Sequence, residues 1–255
     1  MTNTHDNSPR LFVPAAFRVG AEVALDADQS HYLCHVMRLE TGAVLRVFNE
    51  TSGAWQATIA AVGKKSVRIT LAQQLAAPET QAELWLFCAP IKRAHFDFTV
   101  MKATELGVSH IQPMLTARTQ IREINPERCR AIAIEAAEQS ERLSVPEICA
   151  AASLQTLAAH WPPHLRPLVC AEFGTAMPVF KALSSLSAAS PLKPAIIVGP
   201  EGGFTSEEMA LLRSLPHAMA LRLGPRILRA DTAALSALSC WQALCGDWRG
   251  VAKEV

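Results

Sequence analysis

Two glycine-bearing segments near the C-terminus constrain the fold of this chain more than any other feature. Their sequences are Gly199-Pro-Glu-Gly-Gly-Phe204 and Leu223-Gly-Pro-Arg-Ile-Leu-Arg229. The first follows an apolar run and precedes an N-cap residue, early acids and helical apolar spacing. The second follows an alternating run and precedes an Ala- and Leu-rich helix that Asp231 or Thr232 can cap. Both patterns predict strand, loop and helix, with the loops side by side at the carboxyl ends of neighbouring parallel strands, forming one backbone-lined pocket.

Composition limits the class of protein. Half of the 255 residues are apolar, which is enough for a large core in one or two domains. The seven cysteines lack paired CxxC spacing and are typical of reduced, mostly buried thiols. The N-terminal residues are polar, and no run approaches the roughly 18 apolar residues of a membrane span. We expect a soluble cytoplasmic protein that does not associate with membranes.

The net charge of +1 does not by itself indicate nucleic-acid binding, because RNA-binding domains are usually clearly basic. Basic residues nevertheless form four local clusters: Lys64, Lys65 and Arg68; Lys92, Arg93 and Lys102; Arg118 and Arg122; Arg226 and Arg229. The alternative for each cluster is a solvated surface. Only convergence of the clusters in space would favour an RNA-binding face.

The pattern of the chain changes near residue 76. Residues 1–75 contain short strand-like runs with glycine turns, which predict a small β-barrel. One helix over 31–39, capped by Asp28, interrupts these strands. Residues 76–81 are small, polar and proline-bearing, as expected of a linker. Residues 82–255 alternate between strand and helix patterns and predict an α/β domain with a mainly parallel sheet.

Glycine loops of this kind can present backbone N–H and C=O groups to a flat heterocycle such as adenine. A glycine loop before a helix also attracts anions, but the spacing here matches neither GxGxxG nor GxxxxGK[ST], and no lysine follows Gly203. Two tight turns without a ligand remain the alternative. Arg229 counts against that alternative, because a cation beside a helix N-terminus opposes the helix dipole and favours an anionic partner.

The two segments also carry a family resemblance. VGPEGGFTSEE at 198–208 and LRLGPRILRADTAA at 221–234 closely resemble the signature of the bacterial 16S ribosomal RNA uridine-N3 methyltransferases, the RsmE family of the SPOUT superfamily. Further similar segments are HYLCHVMRLETG at 31–42, KATELGVSHIQP at 102–113, AAEQSERLSVP at 136–146, and the pair Arg10 and Phe12. The resemblance spans nearly the whole chain.

The resemblance implies an N-terminal PUA-like β-barrel for RNA and a C-terminal SPOUT domain with a deep trefoil knot. It also implies a homodimer that binds S-adenosylmethionine and acts on 16S rRNA or the assembled small ribosomal subunit. Cofactor contacts are carried over to Val198, Gly199, Glu201, Gly203, Leu223, Gly224, Ile227, Leu228 and Thr232. RNA contacts are expected at Arg10, Arg38, Lys92, Arg93, Lys102 and Arg118. No metal is expected, because His31 and His35 have no third ligand nearby in sequence.

Methylation of uridine N3 requires removal of a weakly acidic imide proton and alignment of the resulting anion with the sulfonium methyl group. A guanidinium suits this delocalised anion because it offers a planar fork of donors. Arg229 is the first candidate for this catalytic role and Arg10 the second. Their alternatives are an ion pair of Arg229 with Asp231 or Glu201, and a phosphate contact by Arg10. No general base is evident: Glu138 and Glu201 are candidates, with capping or pairing as the alternative for either.

The chain departs from the family pattern directly after Arg229. Family members commonly have Thr and Glu there, whereas this chain has Ala230 and Asp231. Two other functions are compatible with the sequence. One is a non-catalytic RNA-binding module with a knotted fold, and the other is a different nucleotide-dependent enzyme with a Rossmann-like site.

Overall fold

Two separate sheets organise the chain in the computed structural model, which describes residues 8–63, 66–172, 174–186 and 192–250. One unit comprises Met1–Gln81 and Ala137–Val145, and the other comprises Ala82–Ala136 and Pro146–Val255. The segment 137–145 thus belongs to the first unit. The sequence-based division at a 76–81 linker places this segment in the second domain. Lys64 and Lys65 of the predicted basic cluster lie outside the described residues.

The first unit contains a five-stranded sheet. Its strands are β1 (Arg10–Phe12), β2 (Glu22–Ala24), β3 (Val44–Asn49), β4 (Gly53–Val62) and β5 (Val67–Ala76). The order is β1-β3-β4-β5-β2, with β1 parallel to β3 and the other pairs antiparallel. Alternate residues of β4 are buried, as expected of a strand with one face in a core. Leu45, Ile59, Ile69 and Leu71 are among the fully buried side chains of that core.

Helix α1 (Ala27–His31) follows β2 and begins one turn earlier than predicted. The predicted cap, Asp28, is wrong, because the N-cap is Asp26. The Asp26 carboxylate accepts the N–H of Gln29 at 2.8 Å, and the Gln29 side chain accepts the N–H of Asp26 at 3.4 Å. The chain then continues as a single π-helical stretch, Tyr32–Val36.

The second unit contains a parallel sheet. Its strands are β6 (Trp85–Cys88), β7 (His110–Leu115), β8 (Glu147–Ile148), β9 (Ala152–Ser153), β10 (Leu165–Cys170), β11 (Met177–Pro178), β12 (Lys193–Val198) and β13 (Met219–Arg222). The order is β11-β13-β10-β12-β6-β7-β8, and β9 pairs with β7. Each of these pairings is parallel. The predicted α/β architecture with a mainly parallel sheet is confirmed.

Helices connect the parallel strands. They are α2 (Arg93–Glu105), α3 (Pro126–Gln139), α4 (Leu154–Ala159), α5 (Val179–Ser184), α6 (Ser206–Ser214) and α7 (Ala230–Leu244), followed by a 3₁₀ turn, Asp247–Arg249. Asn125 caps α3 as predicted, since its side-chain oxygen accepts the N–H of Arg128 at 3.0 Å. Across the described residues, none of the helices combines the length and the apolar character that crossing a membrane requires.

A glycine at the start of β4 provides a test of the first unit. Gly53 has φ +76°, and a Cβ there would overlap the backbone carbonyl of Ala76. Gly20 has the same φ, but no described atom lies within 4 Å of its Cβ position. We expect Gly20→Ala to lower the free energy of unfolding by about 1–2 kcal/mol, the cost of a left-handed conformation. Gly53→Ala should cost a further ~1–3 kcal/mol from overpacking. Urea denaturation measures both variants, and equal losses would contradict the steric explanation.

Candidate active site at the carboxyl edge of the parallel sheet

The carboxyl ends of β6, β7, β10, β12 and β13 lie along one edge of the sheet, because all five strands run in the same direction. One detail of the predicted pocket is wrong: β12 and β13 are not neighbours, because both pair with β10, which lies between them. The strands that lead into the two glycine loops are therefore two interstrand spacings, about 10 Å, apart. The residues after β10, beginning with Ala171 and the exposed Glu172, lie between them.

The first glycine loop makes a tight turn after β12. The N–H of Gly203 donates to the carbonyl of Pro200 at 2.8 Å, and Gly203 has φ +68°. This conformation is accessible to glycine at little cost. At Gly199 the constraint is space, because a Cβ would lie 3.1 Å from the ring of Phe204. The geometry of the loop therefore favours glycine at both positions.

A buried carboxylate fixes the end of this loop. Glu208 is only 3% exposed. One of its oxygens accepts the N–H of Thr205 at 2.9 Å, which completes a capping box at the start of α6. Its other oxygen accepts the N–H of Ala117 at 2.7 Å. Glu208 thus joins the loop that follows β7 to the loop that follows β12.

The neighbouring residue, Arg118, adds to this connection. Its guanidinium donates to the carbonyl of Gly202 at 2.5 Å, and its aliphatic stem lies against Gly202, where a Cβ would be 3.3 Å away. Buried Thr116 and Thr119, whose hydroxyls are 2.9 Å apart, hold the turn that carries Arg118. The loop after β7 is therefore a supporting wall for the first glycine loop.

The second glycine loop, residues 223–229, ends at the start of α7. Arg229 is the N-cap residue, so the predicted caps Asp231 and Thr232 are wrong, and both lie inside the first turn of the helix. The Arg229 side chain is exposed. Among the described residues it forms no side-chain hydrogen bond and no ion pair, so the alternative pairing with Asp231 or Glu201 is not formed. Arg229 therefore presents a cation at the edge of the sheet.

Asp231 instead pairs with His95 in the first turn of α2. Asp231 Oδ2 and His95 Nδ1 are 2.8 Å apart, and Asp231 Oδ1 accepts the backbone N–H of Thr232 at 2.6 Å. Burial raises the pKa of Asp231, but hydrogen bonds from His95 and Thr232 more than offset this, so the pKa lies below its ordinary value. The carboxylate is ionised at neutral pH and has no proton to donate. The imidazole therefore carries its proton on Nδ1.

The residues predicted to contact a cofactor lie on the second unit at this edge. They are Val198 at the end of β12, Gly199, Glu201 and Gly203 in the first loop, Leu223, Gly224, Ile227 and Leu228 in the second, and Thr232 in α7. Gly203 and Gly224 have positive φ, and no described atom lies within 4 Å of either Cβ position. The backbone is thus open at one point in each loop, as a close-fitting planar ligand requires. These contacts remain predictions.

Arg10 belongs to the first unit and is engaged there. Its guanidinium donates to the carbonyls of Ala137 at 2.7 Å, Glu138 at 3.3 Å and Arg142. It also lies 3.6 Å from the centroid of the Phe48 ring. Burial lowers the pKa of Arg10 to about 10, so the group is still a cation at neutral pH. Arg10 therefore satisfies carbonyls at the C-terminal end of α3.

Glu138, a candidate base, has a structural partner in the same unit. Its Oε1 accepts the backbone N–H of Phe12 at 2.9 Å. The capping or pairing role that the sequence left open for this carboxylate is therefore the one that its geometry supports.

The remaining predicted RNA contacts are dispersed. Arg38 is exposed in the first unit, with φ +54°. Lys92 and Arg93 are exposed at the start of α2. Lys102 lies ten residues further along the same helix, about 15 Å away along its axis, and pairs with Glu105 at 2.8 Å. Lys92 and Arg93 thus lie near the carboxyl edge of the sheet, at the start of the helix that follows β6, whereas Lys102 lies near the other end of that helix.

The two histidines considered as metal ligands stack against each other. The ring centroids of His31 and His35 are 4.7 Å apart. Over the described part of the chain, His, Cys, Asp and Glu side chains form no group of three that could hold a metal ion.

Sequence reasoning missed three parts of this site. The Thr205-to-Glu208 spacing is a capping-box signal, but it does not reveal the bond to Ala117, which lies 91 residues away. His95 carries no local motif, and its partner is 136 residues away. Glu172 is placed between the glycine loops only by the strand order, which the sequence pattern does not specify.

Comparison with known proteins gives consistent matches. A family model described as an RNA methyltransferase domain matches residues 78–242, and one described as an RNA methyltransferase PUA domain matches residues 25–72. Ribosomal RNA small subunit methyltransferase E of Rickettsia conorii is 36% identical over 90% of this chain and 93% of its own length. The protein of the same name from Synechocystis sp. is 33% identical over 92% and 77%. The two family models therefore match parts of both units, and the first includes both glycine loops.

A solved structure extends the likeness to three dimensions. It is the crystal structure of a ribosomal RNA small subunit methyltransferase E from Neisseria gonorrhoeae bound to S-adenosyl methionine. It superimposes with a TM-score of 0.84 at 27% identity, covering 94% of this chain and 99% of that chain. The likeness thus includes the sheet edge that carries the loops.

Two adjacent acids in α6 test the importance of the buried carboxylate. Glu208→Gln replaces an acceptor of two backbone N–H groups with an amide that has one acceptor oxygen. We expect a loss of about 1–3 kcal/mol in the free energy of unfolding. Glu207→Gln, at the exposed neighbouring position, is the control and should change it by less than about 0.5 kcal/mol. Chemical denaturation followed by circular dichroism gives both values, and similar losses would refute the bridging role of Glu208.

Proposed function

The chain belongs to the RNA methyltransferase family that includes ribosomal RNA small subunit methyltransferase E, and we propose that it methylates N3 of a specific uridine in 16S rRNA. S-adenosylmethionine supplies the methyl group, activated on a sulfonium. The observation that carries the proposal is the pair of glycine loops at one sheet edge, with open backbone at Gly203 and Gly224 and an unpaired cation at Arg229.

The cofactor site fits the geometry of the loops. A span of about 10 Å between the strands that lead into the loops matches a nucleoside-sized ligand, since adjacent strands are separated by ~4.8 Å. Backbone N–H and C=O groups beside Gly199, Gly203, Leu223 and Gly224 can read an adenine edge. The apolar side chain of Leu228 can cover one face of the ring. The exposed Glu201 stands at the turn between β12 and α6, within the same loop.

Arg229 is the group that we assign to the uracil anion. Its guanidinium lies at the N-cap of α7, where the helix dipole already favours negative charge. A planar fork of donors matches the delocalised charge on O2, N3 and O4 of the deprotonated base. Because no protein carboxylate among the described residues neutralises it, this donor set is available to the substrate. Positioning and charge stabilisation are then its contribution to the rate.

RNA binding involves both units in this proposal. Arg38 lies in the PUA-like unit, and Lys92, Arg93 and Arg118 surround the sheet edge in the other. The near-neutral net charge favours a structured substrate, either 16S rRNA or the assembled small subunit, over tight binding of bare RNA. Arg10 keeps its assignment as the second catalytic and RNA-binding arginine. Its contacts with three carbonyls support, in addition, a role in holding β1 within the first unit.

A trefoil knot is also part of the proposal. After β13 the chain lies on the far side of β10 from β12, yet α7 packs against α2, α5 and β12. The chain therefore returns across the strands that carry the loops. A chain that crosses back over earlier strands in this way can form a knot, whereas chain connections in unknotted folds do not thread through loops.

A homodimer completes the arrangement, and we place its interface around α7. Phe180 in α5 is 67% exposed, Ile227 in the second loop 73%, and Trp248 in the 3₁₀ turn 57%. Both α5 and the 3₁₀ turn pack against α7. Exposed apolar side chains concentrated in this way are typical of protein interfaces. A cytoplasmic location follows from a ribosomal substrate.

The interface can be tested with a matched pair of substitutions. Phe180→Glu places a charge on the proposed interface and should convert the dimer to a monomer. Val19→Glu alters an equally exposed apolar residue of the first unit, 73% exposed, and should leave the dimer intact. Light scattering coupled to gel filtration measures the mass. A wild-type monomer, or a dimeric Phe180→Glu variant, would contradict this interface.

Two assays distinguish this function from its alternatives. Transfer of labelled methyl from S-adenosylmethionine to small-subunit RNA or particles lacking the modification supports the methyltransferase. Cofactor binding without transfer favours a non-catalytic RNA-binding module. Calorimetry with S-adenosylmethionine, NAD and ATP tests the alternative of a different nucleotide-dependent enzyme. Such an enzyme, with a Rossmann-like site, would bind NAD or ATP more tightly than S-adenosylmethionine.

Arg229→Ala is the decisive variant. We expect turnover to fall by about 100-fold or more, as for loss of a donor to transition-state charge, with the fold and most of the cofactor affinity retained. Arg226→Ala, in the same exposed loop, should stay within a few-fold of wild-type turnover. A wild-type kcat in the Arg229→Ala variant would show that Arg229 does not stabilise the uracil anion. Calorimetry with S-adenosylmethionine separates a catalytic loss from a binding loss.

A further inference from the structure

The pair formed by His95 and Asp231 supplies a group that the proposed reaction needs and that the sequence did not reveal. We propose that His95, oriented by Asp231, accepts the N3 proton of the target uracil. This inference rests on the proposed function, and it assigns the general base within the same site. His95 would be a catalytic residue and Asp231 a positioning residue.

The pair lies where the two halves of the site meet. Four residues separate the end of β6 from the start of α2, and the first of them, Ala89, donates its N–H to the carbonyl of Val198 at 3.1 Å. The start of α2 is thereby attached to the strand that carries the first glycine loop. Asp231 lies two residues after Arg229, at the end of the second loop. The bond between His95 and Asp231 therefore joins the helix starts that follow β6 and β13.

The hydrogen bond sets the protonation of the imidazole. Because the Asp231 carboxylate is ionised, His95 Nδ1 carries the proton and donates it across 2.8 Å. In the neutral ring Nε2 then has no hydrogen and holds a free lone pair. The imidazole is 43% exposed, whereas the carboxylate behind it is 13% exposed. The acceptor nitrogen therefore belongs to an imidazole ring that the target uracil can reach.

The proton and electron movements balance without a further reactant. Nε2 accepts the hydrogen of uracil N3, leaving the electron pair of that N–H bond on N3. The N3 pair forms a bond to the methyl carbon as the carbon–sulfur bond breaks, and the sulfur keeps that bond's electrons. Methylated uridine, S-adenosylhomocysteine and an imidazolium result. Asp231 stabilises the imidazolium until water takes its proton.

The other candidates in the described chain are less suitable. Glu138 is occupied with the backbone N–H of Phe12 in the first unit. Glu201 is exposed, and an exposed carboxylate is a much weaker base than the imide anion that it would have to generate. Arg229 remains protonated and cannot accept a proton. An imidazole has a basicity closer to that required near neutral pH.

Charged side chains face His95 from α7 and flank it along α2. Asp231 faces it from α7. Lys92 and Arg93 precede it at the start of α2, and both are exposed. Asp97, two residues further along α2, is paired with Arg128 of α3 at 2.6 Å. The pH profile of the reaction should therefore respond mainly to removal of the Asp231 charge.

The first test is the state of the imidazole in the full-length protein without substrate. Nitrogen-15 NMR at neutral pH should show His95 with Nδ1 protonated and Nε2 unprotonated. Asp231→Asn removes the charge and should redistribute the proton between the two nitrogens. A spectrum with Nε2 protonated in the wild-type protein would overturn the proposal, because the acceptor would be absent.

The second test is kinetic. His95→Asn retains a donor near Asp231 but has no proton acceptor at the Nε2 position, and kcat should fall by about 100-fold or more. The affinity for S-adenosylmethionine, measured by calorimetry, should be unchanged. The matched control is His164→Asn, because His164 also pairs with a carboxylate, Glu83, at 3.0 Å. These two residues precede β10 and β6, at the opposite edge of the sheet, so this variant should keep wild-type kcat.

The pH profile separates a base from a structural residue. Wild-type kcat should rise with pH and level off. His95→Asn should lose the plateau. Wild-type kcat and profile in His95→Asn, or loss of cofactor binding and melting temperature along with activity, would overturn the proposal. Wild-type protein without any methyl transfer would instead overturn the proposed function.

Discussion

The buried carboxylate of Glu208 is the contact on which the geometry of the site depends. It is the acceptor for two backbone N–H groups from different loops, Thr205 and Ala117. Each charge-assisted bond of this kind contributes about 1.5–3 kcal/mol, whereas an unpaired buried carboxylate would cost several kcal/mol. Glu208 therefore couples the two loops, because loss of either N–H group would leave the carboxylate half-satisfied. Arg118, adjacent to Ala117, is placed over Gly202 as a consequence.

The direction of the strands provides the second constraint. In a parallel sheet every strand ends at the same edge. The direction of the five strands is therefore enough to bring the loops that follow them to one edge, before any contact between the loops is considered. The strand order then sets the distances. Because β10 lies between β12 and β13, the strands that lead into the two glycine loops are separated by about 10 Å rather than being neighbours.

Local chemistry could be predicted from the sequence, and long-range pairing could not. The cap of α3 at Asn125 and most strands of both sheets follow from patterns within a few residues, whereas the two-residue strands β8, β9 and β11 do not. The caps at Asp28 and Asp231 were wrong because several polar residues compete at each helix start. At α1 a local capping box between Asp26 and Gln29 decides between them, and at α7 a tertiary contact engages Asp231. Asp231 is a clear case, since it serves His95 instead of the helix terminus. The strand order, the role of Glu208 and the position of Glu172 depend on contacts that no local pattern encodes.

The departure of residues 230 and 231 from the family pattern has a physical consequence in this chain. The shorter carboxylate of Asp231 stays close to the helix backbone, where it accepts the N–H of Thr232 at 2.6 Å. Its remaining oxygen reaches only a partner that approaches the helix start closely, and His95 does so at 2.8 Å. A carboxylate engaged in this way is not available to neutralise Arg229. Separating the two charges leaves Arg229 without a carboxylate partner among the described residues, and the contact with Asp231 fixes the tautomer of His95. A single short side chain thus meets the requirements of both the proposed cation and the proposed proton acceptor.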